Sequence, residues 1–171
     1  QAWDEVIRSG ERASAIGDYR ANTFIAMGRA HERQGRPSQA VDAHRRALTL
    51  HPNSLNAHNN LAIALRKTGD LDGAERAAKR AIELLPSFKE AHNNLGNVHR
   101  DRQDWPEAIA SFERALEIDP YNAVIRVNLG RALASSGDPY HAELQFRNAI
   151  ALSPENLPAQ RALKELLESK R

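Results

Sequence analysis

The chain has 171 residues, 41% of them apolar, with 24 Lys and Arg against 22 Asp and Glu and no cysteine. A net charge of +2 is too small a surplus to mark a nucleic-acid binder, and no apolar run approaches the roughly 20 residues of a membrane span. The lack of cysteine excludes disulfides, thiolate catalysis and zinc–thiolate sites. With no signal-peptide pattern at the start, it favours a soluble, cytoplasmic protein over a periplasmic one, the compartment being otherwise unmarked.

A period organises everything else. The pentapeptide AHNNL occupies 57–61 and again 91–95, a step of 34 residues, and the rest of the chain falls into register at that step. Pro52, Pro86, Pro120 and Pro154 recur, as do Ala40, Ala74, Ala108 and Ala142, and Met27, Leu61, Leu95 and Leu129. Four full units run 21–54, 55–88, 89–122 and 123–156, within one expected domain over 1–171.

Residues 1–20 read as the second helix of a preceding unit, because Trp3 aligns with Trp105. The chain opens at Gln1 without a methionine, which points to a processed or excised piece of a longer protein. The missing first helix predicts that Val6, Ile7, Ala13 and Ile16 are partly uncovered, and so a homo-oligomer formed through this edge.

Each full unit reads as two helices. In the third, His92, Leu95, Gly96 and His99 recur at spacings of three, four and seven, one helical face. The first helix stops near Gln103–Asp104, where sister units carry Gly35, Gly69 and Gly137, residues suited to a left-handed C-cap. Asp70, Asp104 and Asp138 follow as expected N-caps, and Pro106 falls in the first turn, where its missing N–H costs nothing. Ala108, Phe112, Ala115 and Leu116 form the packing stripe of the second helix, which the recurring proline then ends. Gly28, Ala62, Gly96 and Gly130 share one register, and their small size predicts a close approach of the two helix backbones. Residues 157–171 make a last amphipathic helix, with Ala162, Leu163, Leu166 and Leu167 inward and Arg161, Lys164, Glu165 and Glu168 outward, the polar cap that a stacked array needs.

The stretch HNNLGNVHRDRQDWPEAIASFERALEIDP places an LG pair in the first helix, Ala and Phe in the second and a proline at the close. That pattern resembles the tetratricopeptide repeat (TPR) family, over the whole chain. The resemblance implies an all-α fold, a right-handed superhelical solenoid of antiparallel helix pairs with four full repeats plus a half-repeat at each end. Two departures stand out. The fourth position, usually a bulky aromatic in the family, holds Phe24, His58, His92 and Arg126, and in the second repeat Leu65 and Ala78 replace the usual aromatics, predicting looser packing there.

At about 100° per residue, repeat positions four, seven, eight and eleven face the partner helix, while two, six, nine and thirteen lie opposite. The resemblance implies that the opposite side lines a concave groove, flanked by positions five and twelve. Position six carries Ala26, Asn60, Asn94 and Asn128. A carboxamide both donates and accepts, so a row of them can hold an extended peptide by its backbone. Such a row is similar to the asparagine ladder in the repeat domain of O-GlcNAc transferase. Neighbouring groove positions add Asn22, Asn56, Asn59, Asn93 and Asn97, with Arg29, Arg33, Arg66, Lys67, Arg100 and Arg131. Glu32, Glu90 and Asp101 are the acidic members. The groove therefore carries +3 against +2 for the whole chain, which favours an acidic or C-terminal peptide.

Other chemistries fail on spacing. Repeat domains that clamp chaperone C-termini need Lys and Asn, then Asn, then Lys and Arg, where this chain has Ile25, Arg29, Asn60, Glu90 and Asn94. His92 and His99 lie about 10.5 Å apart along one helix, too far to share a metal ion. Glu83, Glu113 and Glu117 fall on solvated faces, no glycine loop cradles phosphate, and no nucleophile–base set occurs. No metal, cofactor or catalysis is expected. Aromatics are 5% of the chain and none sits at a groove position, which argues against single-stranded RNA. The reading is a non-catalytic scaffold for an extended peptide, the alternatives being the substrate-selecting or regulatory arm of a larger enzyme such as a glycosyltransferase, or a self-assembly module.

Overall fold

The structure, a computed structural model, describes residues 2–15 and 20–169. Ten α-helices and no strand occur among the described residues. They divide into two compact units, residues 1–86 and 87–171. The first unit contains α1 (Ala2–Ala15), α2 (Ala21–Arg33), α3 (Pro37–Leu50), α4 (Leu55–Thr68) and α5 (Leu71–Leu84). The second contains α6 (Lys89–Asp101), α7 (Trp105–Ile118), α8 (Ala123–Ser135), α9 (Pro139–Leu152) and α10 (Leu157–Ser169). Each helix packs on its chain neighbour within a unit, and the first helices of successive repeats also touch, α2 on α4, α6 on α8 and α8 on α10.

The hairpin turns follow from backbone chemistry. Gly35, Gly69 and Gly137 adopt φ of 69°, 86° and 89°, and Gln103 does the same at 65° without being glycine. Each turn closes with one long bond back across the helix end: Arg36 N–H to His31 at 2.9 Å, Asp70 N–H to Leu65 at 3.0 Å, Asp104 N–H to His99 and Asp138 N–H to Leu133 at 2.9 Å. This six-to-one bond satisfies a carbonyl that the ended helix leaves without a partner. Asp70 and Asp138 then cap the second helix, accepting from Gly73 N–H at 2.8 Å and His141 N–H at 3.1 Å. Asp104 corrects the expectation. It makes no side-chain cap bond, and its carboxylate lies 3.9 Å from His99 Nδ1.

Inside each hairpin the small residue at position eight meets the side chain at position twenty-four. A Cβ on Gly96 would stand 2.7 Å from the Phe112 ring, one on Gly130 2.5 Å from Phe146, and one on Gly28 2.3 Å from His44. The expectation of close backbone approach is thus refined, since glycine makes room for a ring. In the second repeat the pair is Ala62 and Ala78, both buried. Phe112 and Phe146 are wholly buried among alanines and leucines, each burial removing apolar area that stabilises by about 1.5–3 kcal/mol.

The two ends differ in detail from the reading. In α1, Ile7 is buried, while Val6 and Ala13 are half-buried; Ile16 lies outside the described residues. On α10, Ala162 is buried and Leu163 and Leu166 are half-buried, but Leu167 remains 39% exposed. Leu167 therefore does not point into the core, because the helices that α10 touches, α8 and α9, cover a narrower stripe than expected.

Candidate functional site

The position-six side chains sit in equivalent places on α4, α6 and α8, and Asn60, Asn94 and Asn128 are all half-buried. In the second unit the amides of neighbouring helices come together: Asn128 Nδ2 donates to Asn93 Oδ1 at 2.9 Å, 35 residues apart. In the first unit Asn59 Nδ2 donates to Asn60 Oδ1 at 3.4 Å. Asn22 and Asn56 are exposed, whereas Asn59 and Asn97 are buried at 8% and 9%. Burial leaves those last two little surface for a ligand, and Asn59 serves to orient Asn60.

The charges sort in the same way. Glu32 accepts from His44 Nε2 at 3.1 Å and lies 3.8 Å from Lys67 Nζ. Arg100 reaches Asp101 Oδ1 through Nε at 3.3 Å and Nη2 at 3.0 Å. The Arg33 guanidinium stands 5.9 Å from the centre of the Trp3 ring, within cation–π range. Arg66 is half-buried, and Glu90 is exposed. Arg29 and Arg131 are exposed with no carboxylate partner among the described residues, so they are the cations most available to a ligand.

Histidine and lysine chemistry here is structural. His44 is wholly buried, and its Nδ1 has no hydrogen-bond partner. Burial holds His31 below its usual range, and the nearby Arg36 pushes the same way. His92, buried as expected, and His58, half-buried with Nε2 donating to Pro52 O at 2.7 Å, occupy the fourth position. The hydrogen bond to Asp119, 2.6 Å long, raises Lys89 above its usual range and ties the start of α6 to the end of α7. No group of three His, Asp or Glu side chains among the described residues is arranged to hold a metal ion. No helix there is long and apolar enough to cross a membrane.

The second unit also holds an open cleft of about 950 Å³ where the C-terminal ends of α6, α8 and α10 converge. It gathers Arg100 and Arg131, both groove residues by sequence, with Trp105, Phe146, Ala162 and Glu165. The last four are missed as site residues in the sequence: Trp105 and Phe146 lie on second helices outside the groove register, and Ala162 and Glu165, although at positions six and nine, lie on the last helix, which reads as a cap. The aromatic signal at Trp105 was visible, but only packing places it beside the arginines.

Stacked helix hairpins with polar first-helix faces define a helical-repeat protein. The chain belongs to the tetratricopeptide repeat family, whose profiles match residues 25–87, 60–123 and 99–167. Proteins of this family generally act as protein-interaction scaffolds and typically lack catalysis. No curated protein is similar enough to match. Among solved structures, TTC0263, a thermophilic TPR protein of Thermus thermophilus, superposes with a TM-score of 0.82 at 21% identity, covering 97% of this chain and 91% of its own. MamA gives 0.79 at 22% identity, with 90% of each chain covered. YrrB, described as a TPR protein with an unusual peptide-binding site, gives 0.75 at 21% identity, covering 95% of this chain and 84% of its own. At these identities the likeness establishes the fold alone.

Proposed function

We propose that the chain acts as one non-catalytic scaffold domain, capturing an extended segment of a partner protein on the side of the repeats that carries Asn60, Asn94 and Asn128. The observation that carries this reading is the side-by-side placement of amides in the second unit, with Asn93 and Asn128 bridging α6 and α8. A buried or half-buried amide at hydrogen-bonding distance from its neighbour is held in one orientation, which lowers the entropy lost on binding a peptide backbone. On this reading the amide row would work as the asparagine ladder of the O-GlcNAc transferase repeat domain does, and the peptide-binding site described for YrrB supports the same class of ligand.

Charge selects among peptides. Glu32 and Asp101 are engaged by Lys67, His44 and Arg100, while Arg29 and Arg131 have no such partner among the described residues. The balance supports an acidic or C-terminal segment, the arginines raising the encounter rate more than the final affinity. Affinity for such a peptide should fall by about 1 kcal/mol for each Asn→Ala change at 60, 94 or 128, the net worth of one hydrogen bond. A titration in which the triple variant binds as tightly as the parent chain removes the amides from the mechanism.

A further inference from the structure

The cleft at the C-terminal ends of α6, α8 and α10 differs from the amide row in chemistry. Its floor is Leu166, half-buried, lying over Phe146 and Ala162, which are already covered at 1% and 7% exposure. Its walls are polar and aromatic, with the Trp105 indole, Arg131 on α8 and Glu165 on α10. At about 950 Å³ it falls within the size range of ligand-binding clefts.

We propose that this cleft anchors the bound peptide by a bulky apolar side chain adjacent in sequence to a carboxylate, the apolar group on Leu166 and the Trp105 indole and the carboxylate against Arg131. The proposal rests on the peptide-binding reading above and specifies what the peptide must carry.

Three observations lead to it. Leu166 and the Trp105 indole, both half-buried, are apolar surface that solvent still reaches, and covering them with a hydrocarbon group releases water, which a purely polar ligand cannot do. Of the two arginines, Arg100 is drawn to Asp101 by two contacts to one oxygen, leaving Arg131 as the guanidinium free to form a charge-assisted bond. Glu165, across the cleft on α10, repels an acid on its own side, so the carboxylate is directed to the α8 wall. Lys at that peptide position would face Arg131 and lose affinity.

The test uses the intact chain as its Trp3→Phe variant, which leaves Trp105 as the single tryptophan. A displayed library of random decapeptides is panned on it, and the best sequence is synthesised with its acid unchanged or replaced by Lys. The selected sequences should pair Leu, Ile, Phe or Met with a neighbouring Asp or Glu, and binding should change Trp105 emission. Arg131→Glu should weaken the acidic peptide about tenfold, the scale of one lost charge-assisted contact, and should restore binding of the Lys version. Glu165→Gln should leave affinity for the acidic peptide equal or higher. If Arg131→Glu changes neither affinity nor emission while the triple Asn→Ala variant loses binding, the cleft assignment falls and the amide reading stands. If the library yields no ligand, or its ligand ignores both variants, both fall together.

Discussion

The first and fourth repeats share one frame and differ in what fills it. At positions eleven and twenty-four the first holds His31 and His44, the fourth Leu133 and Phe146. Each ring sits against a glycine, His44 on Gly28 and Phe146 on Gly130. The phenyl ring needs only apolar neighbours, and it has them. The imidazoles need partners, and both His31 and His44 keep a buried Nδ1 that has none. Such a group costs about 1–3 kcal/mol relative to a satisfied one. The helix ends tell the same story: Asn122 and Asp138 cap α8 and α9, while Arg20 and Arg36 give α2 and α3 no side-chain cap. The frame is set by a size match between two positions, and chemistry inside it is free to vary at a cost in stability. Amide hydrogen exchange should accordingly be faster in α2 and α3 than in α8 and α9.

Substitutions can break or sharpen that contrast. Phe146→Ala should cost about 3–5 kcal/mol by emptying the space beside Gly130, measured as a fall in the urea midpoint. A loss under about 1 kcal/mol would deny the ring its role. His44→Phe should bring the first repeat closer to the fourth, gaining about 1–2 kcal/mol by removing the unpartnered nitrogen, with Glu32 still near Lys67. Gln103→Gly should stabilise by about 1 kcal/mol, because φ of 65° strains any residue with a Cβ. The smallest effect is on pH. Burial holds His31 below the ordinary imidazole range, so the fold prefers its neutral form. That contribution is complete above the unfolded value and declines as pH falls through and below it. Acidification should lower the denaturation midpoint less in His31→Gln than in the parent, and equal slopes would count against it.

Much of this was legible from residue spacing. Gly35, Gly69 and Gly137 mark turns whose geometry leaves few alternatives, and Gln103 could be placed only because its sisters are glycine. The Ala and Phe stripe of α7 and the amide register of α4, α6 and α8 follow from helical periodicity alone. What was hidden depends on neighbours beyond one hairpin. Asn59 and Asn97 look like groove residues on a single helix, yet both are buried. Asp104 has the sequence of a cap, but its carboxylate is turned toward His99. The cleft needs the ends of α6, α8 and α10 to converge, a juxtaposition no local pattern contains.

The most direct measurement is a two-dimensional nitrogen–proton spectrum of the intact, isotope-labelled chain, titrated with its selected peptide. The side-chain carboxamide resonances of Asn60, Asn94 and Asn128 should move with the peptide and saturate together, with Asn93 following through its bond to Asn128. Saturable binding that leaves those three pairs of resonances in place, while shifting residues on the second helices of the repeats, would contradict the account.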